Sequence, residues 1–100
     1  MNYTENYEGI KIDVQAVDIT IGDEVQQRVR DMLVKLGRYA KIVWVDVHMA
    51  IERGQSTNTK NINIRLGVPG PDVFASDSGD DWMPLMKSVE EKLRRQLEKK

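Results

Sequence analysis

Cysteine is absent from this chain. Disulfide staples and thiolate metal clusters are therefore excluded, and a cytosolic setting is the natural default. No apolar run approaches the ~20 residues that cross a bilayer. The polar, acidic opening Met1-Asn2-Tyr3-Thr4-Glu5-Asn6 has no signal-peptide character. A soluble, cytoplasmic chain with no membrane partner is expected. His48 is the one histidine, and it shares its side of a strand with Asp46 and Glu52, too few ligands to fix a metal. Asp77, Asp80 and Asp81 lack the spacing and closing bidentate Glu of a calcium loop. No Gly-rich loop ends in Lys-Ser or Lys-Thr, and Ser56, Thr57 and Thr59 have no histidine nearby in sequence. Neither an enzyme nor a cofactor, metal or small-molecule substrate is expected.

What is present suffices for one core. A hydrophobic share of 40% in 100 residues makes a single small domain of two layers. The net charge of −1 is strongly segregated along the chain. Residues 1–24 carry six acids against Lys11, whereas 28–41 carry Arg28, Arg30, Lys35, Arg38 and Lys41 against Asp31 alone. Residues 42–84 are acidic again, and 85–100 hold six bases against Glu90, Glu91 and Glu98. The bases thus fall mainly in the two segments that read as helices.

Residues 1–9 are polar and show no period, which predicts a mobile arm carrying surface tyrosines Tyr3 and Tyr7. From Ile10, alternation of Ile10, Ile12 and Val14 with Lys11, Asp13 and Gln15 predicts a half-buried strand. Gly22 stands where an N-cap belongs, followed by Asp23 and Glu24 at the positive end of a helix dipole. Val25, Val29, Leu33, Leu36 and Tyr39 then recur at helical spacing, with Arg28, Lys35 and Arg38 forming a stripe beside them. That stripe is a candidate polyanion surface or simply a solvated helix face.

Val45, Val47, Met49 and Ile51 alternate with Asp46, His48, Ala50 and Glu52, and Ile62, Ile64 and Leu66 with Asn61, Asn63 and Arg65. These are two strands joined by the polar connection 54–59. After the turn 67–71, Val73 and Ala75 predict a short fourth strand, broken by 76–80. Asp80 or Asp81 can cap a last helix, in which Pro84 is tolerable in the first turn. Trp82, Met86, Val89, Leu93 and Leu97 form its buried face, and Lys87, Lys92, Arg94, Arg95, Lys99 and Lys100 crowd the others. Trp82 is in phase with the core; Trp44 is out of phase with its strand, which leaves either a cap on the first helix or a sheet edge. The fold class is α+β: a two-layer β-α-β-β-β-α sandwich, its four-stranded mixed sheet covered on one face by both helices.

The order of these elements and several short motifs resemble the ribosome hibernation-promoting factor and ribosome-associated inhibitor family, also called sigma-54 modulation proteins. The pieces are Lys35-Leu36-Gly37-Arg38-Tyr39, the strand Val45-Asp46-Val47-His48-Met49, Pro69, Val73-Phe74-Ala75-Ser76, Asp81, and Lys92-Leu93-Arg94-Arg95-Gln96-Leu97-Glu98-Lys99. The resemblance covers nearly everything after Gly9. It implies a double-stranded-RNA-binding-domain-like fold, with residues 10–100 as one ribosome-binding domain. It further implies a translation inhibitor that occupies the mRNA and tRNA channel of the small ribosomal subunit during stress or stationary phase, with rRNA phosphates as partner. Lys35, Arg38, Lys92, Arg95 and Lys99 match the family's basic positions; with Arg28 and Lys87 from the helix stripes they are the candidate rRNA ligands. Phosphate contacts of this kind recognise the shape of folded RNA without reading its sequence.

The departures are local. Ala16-Val17-Asp18 stands where a basic turn is usual, Ser78 where a base is common, and Met83 where relatives carry tyrosine. The chain is expected to be a short form, lacking a further C-terminal domain and an acidic tail. The alternative is a protein-interaction module on the same fold that does not bind ribosomes, using its polar sheet face or a sheet edge. Helix stripes that merge favour rRNA; stripes neutralised by Asp31, Glu91 and Glu98 favour a protein.

Overall fold

The computed structural model describes residues 2–17, 19–54 and 58–99. The elements run β1 (Asn2–Tyr7), β2 (Ile10–Ala16), α1 (Asp23–Leu36), β3 (Trp44–Arg53), β4 (Asn58–Gly67), β5 (Val73–Gly79) and α2 (Trp82–Glu98). They build one sheet in the order β1-β2-β3-β4-β5. Only β2 and β3 pair in parallel, across the α1 crossover; β1 with β2, β3 with β4 and β4 with β5 are antiparallel.

Strict alternation puts one set of side chains on a single apolar face. Ile12 and Val14 of β2, Val45, Val47 and Met49 of β3, Ile62, Ile64 and Leu66 of β4, and Val73 and Ala75 of β5 are buried there. The helices close over it with Val29, Met32, Leu33 and Leu36 from α1 and Leu85, Met86, Val89, Leu93 and Leu97 from α2. Trp82 packs against this core while partly exposed, and Tyr39, expected on the apolar face of α1, lies beyond the helix end and is exposed. Gly22 caps α1 in an extended conformation and Asp81 occupies the same position on α2, neither donating nor accepting a side-chain cap bond. The connection expected at 54–59 lies partly outside the described residues, as does Asp18.

Two expectations are corrected. The sheet has five strands, because residues 2–7, read as an arm, form β1 along β2 with Tyr3 opposite Val14 and Tyr7 opposite Ile10. The turn between them has φ 51° at Glu8 and 84° at Gly9, the pair of positive values that a type I′ hairpin requires. Tyr3, Glu5 and Tyr7 face inward in alternation. The charge in the middle of that row hid the strand. Glu5 is tolerated there because Arg30 of α1 donates to it from Nε at 2.9 Å and Nη2 at 3.3 Å, and Gln26 donates as well. The Arg30 guanidinium also lies 5.4 Å from the Tyr7 ring centroid.

The last strand is the second correction. It continues through the polar run to Gly79, with Ile62 opposite Asp77 and Lys60 opposite Gly79. Asp77 holds this extension in place: its carboxylate accepts from the Ser88 hydroxyl and the Ser78 N–H and lies 3.6 Å from Lys92 Nζ. Those partners keep its pKa below the usual carboxylate value.

Trp44 lies on the outer face, paired with Gly67, and its indole fills the space that a Cβ at Gly67 would need. Gly67→Ala is therefore expected to destabilise the fold by about 1–3 kcal/mol through overpacking. In a Trp44→Ala background the same change should be neutral or stabilising, since alanine suits a strand better than glycine. Urea unfolding of the four chains of this cycle checks the coupling.

Candidate nucleic-acid interface

Topology decides where the helical charges meet. β5 is antiparallel to β4, which is antiparallel to β3, so β2, β3 and β5 share one direction. Each helix follows one of these strands and returns across the same face. The two helices therefore run alongside each other in the same sense. Their C-terminal ends arrive at one end of the molecule: Lys35 in the last turn of α1, with Arg38, expected on the helix, just beyond its Gly37 cap, and Arg95 in the last turn of α2, with Lys99 as its cap. Asp23 and Glu24, with Asp80 and Asp81, collect at the opposite end. Each sign complements the local helix dipole, so packing and charge are satisfied together.

The seven candidates divide into three settings. Lys35, Arg38, Lys87, Arg95 and Lys99 are exposed, and among the described residues they make no ion pair or side-chain hydrogen bond. Lys87 stands apart, two helical turns or about 12 Å along the α2 axis from Arg95. Arg28 is committed elsewhere: its Nη1 donates to Glu90 Oε1 at 2.8 Å across the helix pair, with side-chain exposures of 20% and 15%. Such a pair fixes the two helices in register and removes one cation from the surface. Lys92 is half committed, donating to the Ser76 carbonyl at 3.0 Å beside Asp77.

The acids that could have neutralised the stripes mostly do not. Asp31 accepts from Gln27 of its own helix, and Glu98 takes Arg94 at 2.7 Å, a base outside the candidate set. Among the described residues Glu91 makes no ion pair. Glu90, silent in the sequence, is the acid that withdraws a candidate. Lys41, exposed just beyond α1, extends the cationic end and carried no helical signal by which to find it.

The outer sheet face is mostly polar, as expected, but it also carries Trp44 and the exposed Phe74. Gln15, His48, Asn63 and Ser76 form one cross-strand row, and Asp13, Asp46, Arg65 and Phe74 the next. Among the described residues no group of three or more His, Asp or Glu could hold a metal ion. None of the described helices is long and apolar enough to cross a membrane.

The sequence profile of the sigma 54 modulation protein / S30EA ribosomal protein family matches residues 12–100. The chain belongs to that family. It is a family of ribosome-associated, non-enzymatic hibernation factors. Similar solved structures include the N-terminal domain of Protein Y from Thermus thermophilus, at 17% identity and TM-score 0.67 over 95% of this chain and 98% of that one. A ribosomal subunit interface protein from Coxiella burnetii aligns at 18% identity and TM-score 0.72 over 88% of this chain and 93% of that one. At such identities the likeness is one of fold. No curated protein matches the sequence. The profile match begins within β2, so β1 lies outside it.

β1 nonetheless binds α1, because Glu5 holds Arg30. Burial would push the Glu5 carboxyl up, but hydrogen bonds from Arg30 and Gln26 and the Arg30 charge outweigh it and keep the group below its ordinary 4.5. A depressed carboxylate pKa contributes stability above the unfolded value and loses it as pH falls through the folded one. The thermal midpoint should therefore drop more steeply below about pH 4.5 in the native chain than in Glu5→Gln. Melting curves across an acid series compare the two, and identical slopes would count against the latch.

Proposed function

We propose that this chain is a translation inhibitor of the hibernation type that binds small-subunit rRNA in the channel for messenger and transfer RNA during stress or stationary phase, in the cytoplasm. The observation that carries this reading is that both helices run in one sense, so that Lys35, Arg38, Arg95 and Lys99 lie at the same end of the molecule, exposed and unpaired among the described residues. Four exposed cations held by packed elements suit charge-assisted contacts to phosphates. A path of phosphates set by RNA folding is a partner they can follow without base readout. Arg28 serves this surface indirectly, as the strut to Glu90.

The alternative, a protein module working by strand addition, finds less support. Gln96 of α2 donates to the Phe74 carbonyl at 2.6 Å and accepts from the Phe74 N–H at 3.3 Å. With Lys92 on the Ser76 carbonyl, this occupies three of the outward backbone groups of β5 where a partner strand would pair. β1 is the other edge, and its length and polar outward residues give it little to hold a partner.

Cosedimentation with separated ribosomal subunits across a salt series tests the proposal. Salt-sensitive binding to the small subunit, lost when messenger and transfer RNA are preloaded, is the expected result. Replacing Arg38 and Arg95 together by Ala should weaken binding and reduce the log-log salt slope by about two, roughly one per lost phosphate contact. An unchanged slope would remove these two residues from the interface. Absence of binding at low salt would overturn the function.

A further inference from the structure

Phe74 is 56% exposed on the outer face of β5, its ring turned away from the core that Val73 and Ala75 enter. Arg65 sits directly across from it on β4, with the guanidinium carbon 5.5 Å from the ring centroid. Arg65 is equally opposite Asp46 on β3, yet among the described residues the two make no ion pair. The guanidinium is drawn to the ring, at cation-π distance, and leaves the Asp46 carboxylate without an ion-pair partner among the described residues. Next to Arg65 on the same face, the Trp44 indole lies flat over Gly67. A depression of about 420 Å³ adjoins this surface, lined by Asp46, His48, Asn63 and Arg65.

The pair of Arg65 and Phe74 adds to sheet stability by itself. Its position is what gives it a second use. Gln96 grips the backbone of Phe74 on both its N–H and its carbonyl, which fastens the last turns of α2, the segment that carries Arg95 and Lys99, along the β5 edge. A cationic strip and an aromatic platform are thus joined across one strand. Basic groups that track a backbone beside a ring on which a base can stack are the two components of single-stranded nucleic-acid sites.

The geometry points to a binding site for an unpaired RNA nucleotide, with its flanking phosphates on Arg95 and Lys99 and its base stacked on Phe74 and Arg65. The base edge would face the depression, where Asn63 both donates and accepts, His48 does so according to its tautomer, and Asp46 accepts. A lone carboxylate there suits a base with amino or imino hydrogens, of which guanine presents two side by side. Asp13 and Asp46 repel phosphate, which keeps the backbone at the β5 edge and turns the base inward. This site rests on the rRNA reading above and adds to it a contact with a base, where the helix cations address phosphates alone.

The test uses the full chain and two labelled RNAs of equal length, a short mixed-sequence single strand and its abasic counterpart. Fluorescence anisotropy is expected to show the base-bearing strand bound at least about fivefold tighter, the lower end of what one stacked base contributes. Phe74→Ala should abolish that preference, Phe74→Trp should keep it, and Arg95→Ala should weaken both strands alike; melting curves confirm that each variant folds. Equal binding of the two strands by the native chain, or a preference that survives Phe74→Ala, overturns the site. If small-subunit cosedimentation persists in that case, the site fails alone; if neither subunits nor RNA bind, the rRNA reading fails with it. Loss of subunit binding in Phe74→Ala without any base preference would assign the ring to a protein contact and also overturn the site.

Discussion

One constraint governs this molecule: each of its central strands is apolar on a single side. A sheet of that kind must be covered once, and among the described elements the two helices are those with apolar stripes to do it. Because both helices leave strands that point the same way, both return the same way. The convergence of their C-terminal turns is then a matter of topology. The charges found there are the ones that helix dipoles accept most readily at such ends. A surface suited to polyanions therefore costs the fold little.

Much of this architecture was legible. The alternation in β2, β3 and β4, the Gly22 cap and the period of both helices follow from side-chain spacing alone, and the parallel pairing from the crossover. β1 was not, since periodicity reads apolar residues and its middle inward position is Glu5. What makes that glutamate tolerable is Arg30, distant in sequence and present only once α1 has docked. The full length of β5 escaped for the same reason, because Asp77 needs Ser88 and Lys92 of α2. In both places a carboxylate is satisfied by a helix that the strand itself cannot foresee.

The candidate site shows the same boundary. Sequence spacing placed Lys35, Arg38, Arg95 and Lys99 on outward helix faces and supplied the family motifs. It could not separate them from Arg28, which has the same spacing but meets Glu90 across the helix pair. Nor could it show that Lys92 and Gln96, both inside a family motif, spend hydrogen bonds on the edge of β5. Which cation is free depends on contacts between elements, and these appear only in the folded chain.

The separation of acids at one end from bases at the other has a kinetic consequence. With a net charge of only −1, the chain feels little overall force in the field of a folded RNA, but its two ends feel opposite ones. The result is a torque, which turns the molecule before contact and raises the share of collisions that arrive basic end first. Weak net attraction also limits lingering on RNA that offers no fitting surface. A nearly neutral protein can in this way be selective in how it approaches as well as in where it settles.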